Sequence, residues 1–323
     1  MKTTLAQKNL GHSGLEVSEF CLGILPMGPL QADLPEKHCI GLIEKALELG
    51  VTFYDTAESY RTQNYLGSAL EANPDKKESV VIATKSVAEK YAAMESSVNQ
   101  SLEELKRDYI DIYHLHAARP SGDLFEQRRG ALQCLQEMKQ KGVIRAIGVS
   151  THKPQIVSQA AERDDIDIVY PLINARGMGI VEGTVDDMLK AIGKAHQAGK
   201  GIYAMKVLAG GNLIQQLDDV VNWVRNIYGM DAVSMGVVSE AELLYNLSIF
   251  NLEEQQERPP APAARTKKLF IFHKVCIGCG SCVEMCPNGA LSLVEEKARV
   301  EHEQCILCGY CSPECPRFAI RMV

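Results

Sequence analysis

No apolar run in this 323-residue chain approaches the roughly 18 residues that a membrane-crossing helix needs. The opening MKTTLAQKNL has no apolar leader segment, so the expectation is a cytoplasmic protein whose thiols stay reduced. Basic residues are outnumbered, 34 Lys and Arg against 41 Asp and Glu, and the resulting net charge of −7 argues against nucleic acid as a partner. The G-x-G-x-x-G turn that opens a doubly wound dinucleotide-binding sheet is absent, and no segment reads as a flavin site. What remains is a chain of 46% hydrophobic composition, enough for one large core and a small appended module.

Cysteine is the exception to this scarcity of signals. Eight of the 11 cysteines fall in two tandem copies of C-x2-C-x2-C-x3-C-P, at Cys276, Cys279, Cys282, Cys286 and at Cys305, Cys308, Cys311, Cys315. In this spacing three thiolates hold one iron–sulfur cubane and the fourth reaches across to the other cluster. The predicted ligand sets are therefore Cys276, Cys279, Cys282 and Cys315 for one [4Fe-4S] cluster, and Cys305, Cys308, Cys311 and Cys286 for the second. Glycines beside the thiols, such as Gly278 and Gly309, let backbone amides approach the clusters. Paired zinc sites are the rival reading, but they usually show two separated C-x2-C halves. Cys21, Cys39 and Cys134 are left over and read as buried structural thiols.

Ahead of the cysteines, the segment EEQQERPPAPAART (residues 253–266) is charged, proline-rich and without large apolar residues. It predicts an extended linker between residues 1–252 and residues 267–323, spanning about 3 Å per residue where it is polyproline-like. Before it, strand-like apolar runs alternate with helical periods. Eight strands are predicted, at 20–24, 52–55, 80–84, 110–116, 144–149, 166–170, 202–206 and 232–236, each followed by a helix or helical turn. Eight such units in about 250 residues predict an α/β fold of the (β/α)8 (TIM) barrel class, followed by a small two-[4Fe-4S] domain.

A barrel of this class places its chemistry at the C-terminal ends of the strands. Asp55 closes VTFYD, Lys85 closes VVIATK and His116 closes IYHLH, with Tyr60 in the loop after Asp55. Each alone reads as a polar cap or packing residue; together they converge on one spot. His114 shares the inward face of His116 one layer deeper and reads as a hydrogen-bonded core histidine. Lys206, ending the seventh strand, reads either as a local ion-pair partner or as a cation for an anionic group.

The segments LGHSGLEVSEFCLG, FYDTAESY, ATK, DIYHLH and IGVS make residues 1–252 resemble an aldo-keto reductase, and residues 267–323 resemble a bacterial two-cluster ferredoxin. The first resemblance implies Tyr60 as general acid at a carbonyl oxygen, Lys85 as the cation lowering its pKa, Asp55 as partner of Lys85, and His116 as orienting donor. It also implies a nicotinamide site, for which Ser150, Lys206, Gly210, Gly211 and Asn246 are candidates. Two departures bear on that site: Tyr170 stands where the family has a nicotinamide-holding Gln, and the GVVSEAELLYN loop lacks basic residues for an adenosine 2′-phosphate. NAD(P) is thus an optional cofactor, whereas two [4Fe-4S] clusters are expected.

The combined expectation is an iron–sulfur oxidoreductase acting on a small carbonyl or alcohol substrate and exchanging electrons with a donor or acceptor protein. Its alternatives are an NAD(P)H-dependent aldo-keto reductase whose clusters serve docking or redox sensing, and a non-catalytic electron carrier on a barrel scaffold.

Overall fold

The structure, a computed structural model, describes residues 5–118, 120, 122–250, 259–261, 268–312, 314–317 and 319–322. Most of the predicted linker, 253–258 and 262–266, lies outside the described residues.

Eight parallel strands close into a barrel: β1 Phe20–Gly23, β2 Phe53–Asp55, β3 Val81–Ser86, β4 Ile110–Ala117, β5 Ile144–Thr151, β6 Ile168–Pro171, β7 Gly201–Ala204 and β8 Ala232–Gly236. They neighbour one another in chain order, and β8 returns to β1 through Val233↔Phe20 and Gly236↔Gly23. These strands are almost wholly buried because helices cover them outside while side chains fill the interior. Helices such as α1 Glu36–Glu48, α2 Tyr91–Leu105, α3 Val185–Gln197 and α4 Glu240–Phe250 supply the outer ring. The α3 start is set by a capping box, in which Thr184 and Asp187 bond each other's backbone amides.

An N-terminal hairpin, Gln7–Asn9 paired with Glu16–Ser18, closes the barrel floor. Its Leu10, Leu15 and Val17 join the interior core formed by Cys21, Phe53, Ala83, Ile112 and Tyr203. Gly11 has φ 50° there, and a Cβ would stand 2.4 Å from the Gly201 amide nitrogen, so only glycine fits. Cys21, Cys39 and Cys134 are buried, as expected of packing thiols.

The cysteine-rich segment folds as a small unit with two two-stranded sheets, Leu269–Ile271 with Ile320–Met322 and Leu291–Val294 with Lys297–Val300. It packs on the barrel mouth. Ile306 and Cys308 belong to the same apolar cluster as the barrel's Tyr170, Leu172, Tyr203 and Met205. Gln31 donates to the Leu307 carbonyl at 3.4 Å, and Asn212 donates to the Cys305 carbonyl at 2.8 Å. The barrel interior therefore continues without a break into the second half of the cysteine-rich unit.

Candidate active site

Asp55, the last residue of β2, sits at the centre of a buried network. Lys85 Nζ donates to both of its oxygens at 2.7 Å and to the Thr56 carbonyl at 2.6 Å. The Asp55 oxygens also accept from Tyr170 at 3.2 Å and Tyr203 at 3.1 Å. Those two rings stack with centroids 3.9 Å apart. Burial drives Asp55 up and Lys85 down, toward a neutral pair, while the pairing itself and the two phenols oppose this.

Lys85 reaches Tyr60 through the ring face, 5.0 Å from its centroid, because all three ammonium hydrogens are already engaged. The expected lowering of the Tyr60 pKa is not what its surroundings produce. Burial, then the neighbouring Tyr310 and Asp55, push the phenol well above 10. The phenol is thereby kept protonated at neutral pH. His116, at the end of β4, is pushed well below 6.5 by burial and then by Lys85, so its imidazole is neutral. The Tyr60 and His116 rings meet edge to face at 5.9 Å. His114 bonds the Tyr203 hydroxyl through Nε2 at 2.7 Å, in keeping with a hydrogen-bonded core histidine.

A cleft of ≈ 930 Å³ opens beside this centre, between the barrel and the cysteine-rich unit. Asp55, Tyr60, Tyr170, Lys206, Gly210, Gly211 and Asn246 all line it. Ser150 does not belong to that lining; it is buried in the β5 ladder, in register between His116 and Tyr170. Lys206 falls just past β7 in a left-handed conformation, φ 58°. Gly210 packs under the Ile306 carbonyl, which a Cβ would meet at 1.5 Å, so the absence of a side chain there admits the cysteine-rich unit.

Tyr310 is the residue that sequence reading passed over. Its hydroxyl lies 3.4 Å from His116 Nε2, and its ring packs against the cluster of Tyr60, Leu25 and Ala57. A signal was present: the first cysteine copy reads Cys279-Gly280-Ser281-Cys282 where the second reads Cys308-Gly309-Tyr310-Cys311. Only the second carries a large aromatic between its thiols.

The eight thiols lie in two groups. One small pocket is lined by Cys276, Cys279, Cys282 and Cys315 together with Gly278 and Gly280. In the other group Cys286 acts electrostatically on Cys305, Cys308 and Cys311. No three of these or any other described His, Cys, Asp or Glu side chains converge as ligands of a single bare ion do. Backbone amides of Ala290, Ala298 and Ala319 point at the sulfurs of Cys286, Cys276 and Cys315, at 3.2, 3.4 and 3.2 Å. All-thiol groups with amide donors suit iron–sulfur ligation.

Residues 19–256 match the Aldo/keto reductase family and residues 275–322 match a 4Fe-4S dicluster domain. The chain thus belongs to the aldo/keto reductase family, as an oxidoreductase with an iron–sulfur domain behind its barrel. Its relatives include the oxidoreductase YqkF of Bacillus subtilis, 27% identical over 50% of this chain and only 54% of the relative. L-galactose dehydrogenase of Arabidopsis thaliana is 28% identical over 66% of this chain and 69% of its own length. Methylglyoxal reductase DkgA of Yersinia pestis is 24% identical over 72% and 85% respectively. An aldo-keto reductase structure from Pseudomonas aeruginosa superimposes with a TM-score of 0.66 at 24% identity, covering 76% of this chain and 94% of the other, and so supports the fold.

Proposed function

We propose that the chain reduces a small carbonyl compound, or oxidises the matching alcohol, with single electrons relayed through two [4Fe-4S] clusters held by residues 267–323 to a substrate bound in the barrel of residues 1–252. The observation that carries this reading is Tyr310. It lies between the thiols of Cys308 and Cys311 and touches both His116 and Tyr60.

Carbonyl reduction to an alcohol consumes two electrons and two protons. The clusters would supply the electrons one at a time. Tyr60, kept protonated, gives one proton to the substrate oxygen, and solvent entering the cleft provides the second, to carbon. Neutral His116 donates a hydrogen bond to that oxygen as negative charge grows on it, and the Lys85 ammonium behind Tyr60 stabilises the same charge. Asp55 positions Lys85. The crossed sets predicted above are the proposed ligands, with Cys279 the exposed thiol of the outer set. Phe270, Phe272, Val275, Ile277, Met285, Leu293 and Val294 are exposed around that outer half, a surface suited to an electron-carrier protein.

The open cleft supports a second reading, an NAD(P)H-dependent reductase with the nucleotide along Lys206, Gly211 and Asn246. Asp218, Asp219 and Glu242 line the same cleft and would repel a 2′-phosphate, so NADH would be the form taken. Anaerobic purification with iron, sulfide and bound-nucleotide analysis, followed by turnover of small aldehydes and ketones with a chemical reductant alone, separates the two. Turnover without nucleotide supports the relay; turnover only with NADH or NADPH supports the second reading.

A further inference from the structure

Lys206 stands where barrel, cleft and cysteine-rich unit meet. Residues on both sides of it touch the Cys305–Cys308 segment: Met205 shares an apolar cluster with Ile306 and Cys308, Gly210 lies against the Ile306 carbonyl, and Asn212 bonds the Cys305 carbonyl. Among the described residues its ammonium enters no salt bridge. A partly buried lysine with φ 58° is held in a conformation that costs free energy for a residue with a Cβ, which points to a position set by surroundings rather than by local preference.

The surroundings supply the reason. Cys308 is buried, and a thiolate-ligated cluster is an anion that becomes more negative on reduction. Burial therefore disfavours the reduced state and pulls the potential down; a cation close to one ligand opposes that. Lys206 lines the same cleft as Cys305 and Leu307, and its neighbour Met205 packs against Ile306 and Cys308, which puts its side chain beside this ligand segment, although burial pulls its ammonium below the usual range. The outer set has a different arrangement. Lys297 bonds the Cys276 carbonyl there, but Glu295 and Glu296 precede Lys297 in the chain, and Cys279 is exposed to solvent.

We infer that Lys206 is a positioning residue for electron transfer: its charge raises the reduction potential of the cluster held by Cys305, Cys308, Cys311 and Cys286, keeping reducible the cluster that adjoins Tyr60 and His116. This rests on the two-cluster reading above. The balance is one electron per reduction of that cluster, supplied by a one-electron carrier, with no proton taken up by Lys206.

The test is an anaerobic potentiometric titration of the whole protein followed by electron paramagnetic resonance, with iron and sulfide content measured first. Content below two clusters in the unaltered protein defeats the parent reading and is seen before any potential is. With both clusters present, Lys206→Met and Lys206→Gln should each move one couple to lower potential, and Lys206→Arg should restore it. Cys308→Ser, which changes a ligand, should alter the spectrum of the same couple. Unmoved couples in both neutral variants, or a shift confined to the other couple, overturn the inference. So does a rise in KM for carboxylate-bearing carbonyl compounds with both potentials unchanged, which would make Lys206 a substrate-anion site. Loss of the cluster in both neutral variants would make it a folding residue and equally count against the role.

Discussion

The Tyr310 hydroxyl lies 3.4 Å from Nε2 of His116 while its ring packs against Tyr60, so the two groups proposed to serve a substrate oxygen both meet a tyrosine of the cysteine-rich unit. In the proposed reaction a substrate oxygen takes the place of that hydroxyl. Tyr310→Phe removes the competing contact but keeps the ring against Leu25 and Ala57. A net hydrogen bond of about 0.5–1.5 kcal/mol predicts a KM lower by about 2- to 10-fold, with cluster content unchanged. Steady-state kinetics check this, and a KM that rises instead would mean that Tyr310 helps to bind substrate.

Tyr60 is the proposed proton donor, and its raised pKa makes it an acid across the neutral range. Tyr60→Phe should retain fold and iron while lowering kcat by about 10²–10⁴-fold. Undiminished turnover would reduce the barrel to a binding platform.

The crossed ligand sets predict where damage appears. Cys286→Ala should impair the cluster of Cys305, Cys308 and Cys311, and leave signals from the set of Cys276, Cys279, Cys282 and Cys315 in place. Resonance spectra of the variant decide, and loss confined to the latter set would refute the crossing.

Asp231 gives a pH prediction remote from the site. It accepts from the amides of Ile202 at 2.8 Å and Gly11 at 3.2 Å, pinning the floor hairpin to the barrel, yet burial pushes it up to about 6, against partial relief from those amides, His196 and Lys8. With the folded pKa above the unfolded value of about 3.9, the native state binds the proton more tightly. Its contribution is therefore full below about pH 4 and lost as pH rises through about 6. Asp231→Asn keeps an acceptor oxygen and should stabilise the protein at pH 8 by up to about 3 kcal/mol, the gain shrinking as pH falls toward 4. Denaturant midpoints at the two pH values test it; a pH-independent difference would assign the effect to packing.

Much of this architecture was legible in the chain because its signals are local. Strand runs ending in Asp55, Lys85 and His116 place those side chains at the barrel mouth once the strands are parallel, and the tandem cysteine spacing marks the 4Fe-4S dicluster domain. Other features are tertiary. The helix Gln63–Ala72 and the floor hairpin were not anticipated, and the strand at Lys85 runs on to Ser86. That Tyr170 and Tyr203 both bond Asp55 depends on two strands meeting across the barrel. The burial that pushes the Tyr60 phenol up, and the engagement of every Lys85 hydrogen, follow from atoms converging in space rather than from spacing along the chain. Tyr310 could be seen as the odd residue between two cysteines, but its contact with His116 depends on how the unit docks.

The most direct test of the relay is stopped-flow mixing of chemically reduced, nucleotide-free protein with a carbonyl substrate that it turns over. The account predicts that cluster absorbance returns to the oxidised form at the rate at which alcohol appears, with two electrons lost per product. Clusters that remain reduced while product forms only on addition of NADH or NADPH would contradict it.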